Sequence, residues 1–129
     1  MKKILVVLIL IVFLSGLVIY EEINVNNSLN WIYEESLDLQ AYTIDAEHIN
    51  TTEVLSRVEN IHEEWKKYEN KLCFLINHKN IQDMSTQLTY MKSYVSSDDY
   101  EDFTASLALV VHYTDLFRHL IGVSVQGIF

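Results

Sequence analysis

The sequence predicts an all-α protein, with an N-terminal transmembrane helix followed by a four-helix antiparallel bundle or two stacked helical hairpins. Three observations support this prediction. The chain begins with an unbroken apolar segment, it has neither glycine nor proline from Leu17 to Ile121, and its apolar residues recur at spacings of three and four. Tight turns between strands depend heavily on glycine, and a spacing of three and four keeps side chains on one face of an α-helix.

The N-terminal segment has the pattern of a membrane anchor. Two lysines precede an apolar run from Ile4 to Tyr20, and two glutamates follow it. A helix of this length extends roughly 25 Å, near the lower limit for crossing the hydrocarbon core of a bilayer. Because the positive charges come first, the positive-inside rule places the N-terminus in the cytoplasm and the remainder outside. We therefore assign residues 1–22 to the anchor and residues 23–129 to an extracytoplasmic helical domain.

A cleaved signal peptide is the alternative for the same segment, and it would leave the domain on the same side of the membrane. Ser15 and Gly16 are small residues of the kind found near a cleavage site. However, Leu14 occupies a position where a small residue is expected, and the apolar run continues through Ile19. These two features favour an anchor that is retained.

The composition of the domain limits its partners and its means of stabilisation. Residues 21–129 contain 7 of the 9 basic residues and all 18 acidic ones, a formal charge of −11. Such a charge argues against nucleic acid and against an anionic membrane surface as partners. The single Cys73 cannot form an intramolecular disulfide and is expected to be a buried thiol. Packing must therefore stabilise the domain.

Clusters of Asn, Ser, Thr and Asp mark the predicted turns between helices. Residues 24–28 are expected to separate the anchor from a first helix over 28–49. A second helix is expected to begin at Asn50, where Glu53 follows at capping-box spacing, and to end before a break at Asn77 or His78. The first helix has apolar positions that include Leu37 and Ile44, and the second has a stripe at spacings of three and four from Val54 to Ile76. The stripe of the third helix consists of Ile81, Met84, Leu88, Met91 and Val95. The fourth is expected to begin at Asp98, with Glu101 in the position of a capping box, and to run to Ile121.

The fourth helix has an apolar arc that is wider than one face. One stripe runs from Phe103 to Ile121, and a neighbouring one contains Leu109, Tyr113, Leu116 and Leu120. Such a helix either occupies the centre of a bundle or presents a surface to another chain. The sequence therefore marks Leu116 and Leu120 as candidate interaction residues. The apolar tail 123–129 either folds back over the bundle or docks into a partner.

Several segments resemble a known family. They are the N-terminal anchor, residues 65–81 (WKKYENKLCFLINHKNI), the apolar stretch 88–95 and the C-terminal Gly-Ile-Phe of residues 127–129. Together they resemble a family of small bacterial proteins described as a domain of unknown function. Members are similar in having a membrane segment, a helical domain and a Trp-containing helix that leads into an Asn-His or Asp-His element. The resemblance implies an anchored helical domain and implies no activity.

Trp65 and the pair Asn77 and His78 are further candidate interaction residues. The pair lies at a predicted hairpin end, where an exposed side chain can contact a partner. Each residue also has a structural explanation. A Trp at a stripe position packs in the core, Asn is a common N-cap, and His is common in turns.

Histidines and carboxylates are the only residues whose spacing suggests metal chemistry. Glu59 and His62 form a Glu-x-x-His pair, but a di-iron bundle needs a second such pair and two further carboxylates. The other groups are Asp45 with His48, and His112 with Asp115 and His119. Such spacings arise easily in an acidic helical chain, so we expect neither a metal nor another cofactor.

No arrangement of residues predicts catalysis. Cys73 and His78 fall on different faces of a helix, and there is no Gly-x-Ser-x-Gly motif or glycine-rich phosphate loop. We expect a non-catalytic accessory or scaffold that acts through another membrane or extracytoplasmic protein. A bundle that senses a small molecule or cation is one alternative, and a His/carboxylate metal-binding bundle is another. The sequence leaves the oligomeric state open.

Overall fold

The computed structural model consists of four α-helices. They are α1 (Lys2–Thr43), α2 (Thr52–Leu75), α3 (His78–Ser96) and α4 (Tyr100–Ile128). The structure describes residues 1–128, but not the side chains of residues 21–22, 74–75 and 122–128. No strand occurs in this part of the chain, which confirms the all-α prediction. The predicted tail 123–129 lies outside the described side chains.

α1 differs most from the prediction. The expected turn at residues 24–28 is wrong, because α1 passes through this cluster without interruption. Val25, Leu29 and Ile32 are buried at helical spacing, and their packing outweighs the local preference of Asn and Ser for turns. Ser28 does not begin a helix. Its hydroxyl donates a hydrogen bond of 2.7 Å to the Glu64 carboxylate of α2.

α2 begins two residues later than Asn50. Thr51 is its N-cap, and the threonine hydroxyl accepts a hydrogen bond of 3.2 Å from the Val54 amide. With the cap at Thr51, Glu53 is one position too early to complete a capping box. Glu53 instead accepts a 2.9 Å hydrogen bond from Arg57, one helical turn further on.

The sequence predicted that Asp98 caps α4, and this prediction is wrong. Asp98 instead contacts the connection between α1 and α2. Its carboxylate accepts a hydrogen bond of 2.8 Å from the Ile49 amide, and His48 Nδ1 lies 2.7 Å from its other oxygen. The hydrogen bond with His48 lowers the pKa of Asp98, and the one from Ile49 adds to this effect. The cap of α4 is Asp99, which accepts a hydrogen bond from the Asp102 amide at 3.2 Å.

Each helix packs against two others. α1 and α3 both lie between α2 and α4. α1 and α4 run in opposite directions, since the Tyr100 hydroxyl at the start of α4 donates to the Ile44 carbonyl at the end of α1 over 3.1 Å. Further along the pair, the guanidinium of Arg118 lies 4.0 Å from the centre of the Tyr33 ring.

The core is formed by the predicted apolar stripes of α2, α3 and α4 together with the second half of α1. The stripe of α3 is buried at every predicted position: Ile81, Met84, Leu88, Met91 and Val95. In α1 the prediction is less accurate, because Leu37 and Ile44 are exposed. Cys73 is half-buried against the core rather than fully enclosed.

Candidate functional site

Trp65 lies in the interior, where α2, α3 and α4 meet. Only 1% of its surface is exposed, and its ring stacks on Phe117 with the ring centres 5.7 Å apart. Its indole Nε1 donates a 2.8 Å hydrogen bond to the Ser85 hydroxyl, which in turn lies 2.8 Å from the Glu69 carboxylate. This position explains Trp65 structurally and leaves it no surface to present to a partner.

Asn77 and His78 lie at the turn between α2 and α3. The Asn77 side chain accepts a 2.9 Å hydrogen bond from the Lys79 amide, so Asn77 is the N-cap of α3. His78 is the first residue of α3, and both side chains are exposed. Asn77 therefore has the capping role that Asn favours. Both side chains remain accessible at the surface.

α4 carries an exposed apolar strip, which we call the α4 strip and define as Leu109, Leu116 and Leu120. The three side chains are 40%, 37% and 48% exposed. Their spacing of seven and four residues places them on one side of the helix. Tyr113 lies between them, half-buried, and stacks on Phe117 at a ring-centre distance of 6.0 Å. Leu116 and Leu120 thus lie where another protein can reach them.

The predicted groups of histidines and carboxylates are not brought together. His48 pairs with Asp98 rather than acting with Asp45, and Asp115 pairs with Arg118 at 2.6 Å. Among the described side chains, no group of three or more His, Cys, Asp or Glu residues could hold a metal ion. The metal-binding alternative therefore gains no support from the geometry.

A cleft of about 380 Å³ opens between the end of α1 and the start of α4. Its lining includes Leu37, Ile44, Tyr100 and Leu107. The volume is in the range of small-molecule sites, but such sites enclose most of their ligand and place a few polar groups around it. This cleft is an apolar surface groove, not the internal polar pocket that the ligand-sensing alternative requires.

His62 is a buried histidine on α2. It is 7% exposed, and its Nδ1 has no hydrogen-bond partner among the described residues. Burial lowers the pKa of His62 below its usual value of 6.5, and the nearby positive charges of Lys92 and Lys66 lower it further. The folded chain therefore keeps this side chain neutral at a pH where the unfolded chain would protonate it.

We expect the protein to lose stability as the pH falls from about 7.5 to 5.5, because the unfolded state binds more protons at His62 than the folded state does. The stabilisation that comes from neutral His62 is complete above the pKa of His62 in the unfolded chain, and it decreases as the pH falls through that value. Urea unfolding of the full-length chain in detergent micelles measures the effect. His62→Gln should flatten the pH dependence, whereas His112→Gln, at an exposed histidine, should not. An unchanged slope in His62→Gln would show that other groups control it.

Comparison with known proteins identifies the family. The model of the family described as "Domain of unknown function (DUF4363)" matches residues 20–128. The match includes the second half of α1 and the whole of α2, α3 and α4, and it begins at the end of the apolar run. No curated protein and no solved structure matches the chain. The match covers most of the sequence and confirms the resemblance to an uncharacterised domain family: the chain belongs to the DUF4363 family.

Proposed function

We propose that the protein is a single-pass, membrane-anchored scaffold or accessory protein whose extracytoplasmic domain acts without catalysis, through contacts with another membrane or extracytoplasmic protein. The observation that carries this proposal is the continuity of α1. Its first half is long and apolar enough to cross a membrane, and its second half belongs to the core. In this proposal the second half of α1 is the first member of an antiparallel four-helix bundle.

The exposure of the first half of α1 supports membrane insertion. None of its most apolar 18-residue window is buried against the rest of the protein. Apolar surface in water costs about 25 cal/mol for each Å², so a bare helix of this kind is unfavourable in solution. A bilayer removes that cost, and the helix satisfies its own backbone hydrogen bonds.

Membrane extraction tests the anchor by itself. We expect the full-length chain to stay in the membrane pellet after washing at alkaline pH. Leu8→Arg with Val12→Arg should release it, since each charge near the centre of a spanning helix costs about 2.5–3.5 kcal/mol on insertion scales. Leu8→Ala with Val12→Ala is the matched control and should remain in the pellet. Release of the wild-type chain would contradict the anchor.

The α4 strip supports a role in protein contacts. Its leucines are spaced along one side of α4, and each keeps more than a third of its surface exposed. Protein interfaces commonly have an apolar centre of this kind, surrounded by polar residues. His112 and His119 are exposed polar residues on the adjoining side of α4.

Crosslinking in the native membrane, followed by purification of the full-length chain, tests the scaffold role. We expect the wild type to recover a specific partner and the Leu116→Glu, Leu120→Glu variant to lose it while keeping the same helix content and melting temperature. The matched control is Thr86→Glu with Thr89→Glu, which adds the same charge at two exposed positions of α3. Equal recovery by the two variants would contradict contact through the α4 strip.

A further inference from the structure

The α4 strip and Tyr113 together form one line along α4, which we call the α4 seam. Its residues, Leu109, Tyr113, Leu116 and Leu120, follow one another at spacings of four, three and four. This alternation is the spacing of positions a and d in a coiled coil, where two helices pack along a shared apolar line. Leucine is at both d positions, a choice that suits two parallel helices. The seam therefore fits another helix with the same pattern.

Charge does not interrupt the α4 seam. Within residues 103–121, the charged residues of α4 are Asp115 and Arg118, which pair with each other at 2.6 Å. Arg118 lies over the Tyr33 ring of α1, on the side of α4 that is opposite to the seam. Residues 21–129 as a whole carry a formal charge of −11, so two copies repel each other over most of their surface. The seam is a line along which they can approach.

The two sides of the α4 seam carry complementary groups. On one side, Asp83 of α3 accepts a hydrogen bond of 3.5 Å from the Tyr113 hydroxyl. On the other side, His112 is exposed, and the centre of its ring lies 5.8 Å from the centre of the Tyr113 ring. The carboxylate and the imidazole are therefore level with the same seam residue and flank it.

A common membrane determines how two copies can meet. α4 runs antiparallel to α1, as the hydrogen bond from Tyr100 to Ile44 shows. If α1 of both copies crosses one bilayer in the same direction, both α4 helices run toward that bilayer and are parallel to each other. A two-fold axis along the membrane normal then places identical residues at the same height. It also sets Asp83 of each copy opposite His112 of the other.

We propose that the α4 seam is the interface of a parallel, two-fold symmetric dimer, so that the partner is a second copy of this chain. This inference rests on the proposed function, because it takes the membrane anchor and the contact through α4 from it and names the partner. The seam is roughly 17 Å long, which is short for a coiled coil. Anchoring in one membrane raises the effective concentration of the second copy, as a linker would, and offsets the short length.

Disulfide crosslinking of the full-length chain in its native membrane tests the dimer. Cys73→Ala removes the single native cysteine, and Leu116→Cys then places one thiol on the seam. In a parallel dimer the two thiols come within the reach of a disulfide, about 4.4–6.8 Å between Cα atoms. Mild oxidation should therefore shift most of the chain to twice its mass on a non-reducing gel. Thr89→Cys, at an exposed position of α3 away from the seam, is the matched control and should remain monomeric.

Charge variants in the Leu116→Cys background test the two-fold arrangement. His112→Glu sets two carboxylates opposite each other and should weaken the dimer by up to about fivefold for each of the two symmetric pairs. Adding Asp83→Lys should restore the crosslinked fraction, because the charges are then opposite again. Crosslinking that His112→Glu leaves unchanged would overturn the arrangement.

The outcomes separate this inference from the scaffold role. If Leu116→Cys formed no more dimer than Thr89→Cys, the seam would not join two copies and this inference would fail. The scaffold role would survive that result if the crosslinking described under the proposed function recovered a different protein through the α4 strip. Recovery of neither a second copy nor a different protein would overturn both.

Discussion

Trp65→Ala is expected to lower the free energy of unfolding by about 3–5 kcal/mol, the range measured when a buried aromatic is truncated to alanine. The variant loses the stacking on Phe117 and leaves a large cavity where α2, α3 and α4 meet. It also leaves the Ser85 hydroxyl without its indole donor. Urea unfolding of the full-length chain in micelles, followed by circular dichroism, measures the loss.

Three further variants separate packing from hydrogen bonding at this position. Trp65→Phe keeps an aromatic ring beside Phe117 and should cost less than Trp65→Ala. Ser85→Ala should cost about 1–3 kcal/mol, because it leaves the buried indole N–H without an acceptor. Leu116→Ala, on the exposed α4 strip, should change stability by no more than about 0.5 kcal/mol. If Trp65→Ala were as mild as Leu116→Ala, the indole would not be in the core.

The sequence was most informative where local signals and packing agree. α3 is the best example, since Asn77 caps it, a polar cluster follows it and every predicted stripe position is buried. The exposure of Leu116 and Leu120 was also open to prediction, because an apolar arc wider than one face cannot all be covered by neighbouring helices. In both cases the helical spacing of the apolar residues is enough to predict which side chains are buried and which are exposed.

The sequence alone could not predict how distant segments of the chain pack against each other. Asn24–Ser28 has the local composition of a turn, worth about 1 kcal/mol at a cap, whereas burial of each large apolar side chain contributes about 1.5–3 kcal/mol. Val25 and Leu29 therefore decide the conformation, and they do so through helices that are distant in the sequence. The partners of Trp65, Ser85 of α3 and Phe117 of α4, depend in the same way on how the helices are paired.

Asn27→Pro should lower the free energy of unfolding by about 3 kcal/mol, the usual cost of proline in a helix interior. Asn27 is exposed and lies inside α1, so the substitution leaves the core side chains unchanged and acts on the backbone. Proline removes the amide that donates to the preceding turn, and its ring clashes with the carbonyl of Ile23. Urea unfolding of the full-length chain in micelles measures the effect.

The matched control, Asn27→Ala, distinguishes a continuous α1 from an anchor joined to the domain by a turn. In a continuous helix, alanine should stabilise slightly, by up to about 0.7 kcal/mol, and proline should destabilise strongly. In a turn at residues 24–28, a compatible proline would be neutral or stabilising, because it restricts the unfolded chain. A large difference between the two variants therefore supports one helix that joins the anchor to the core, and a small difference would support the turn that the local composition predicts.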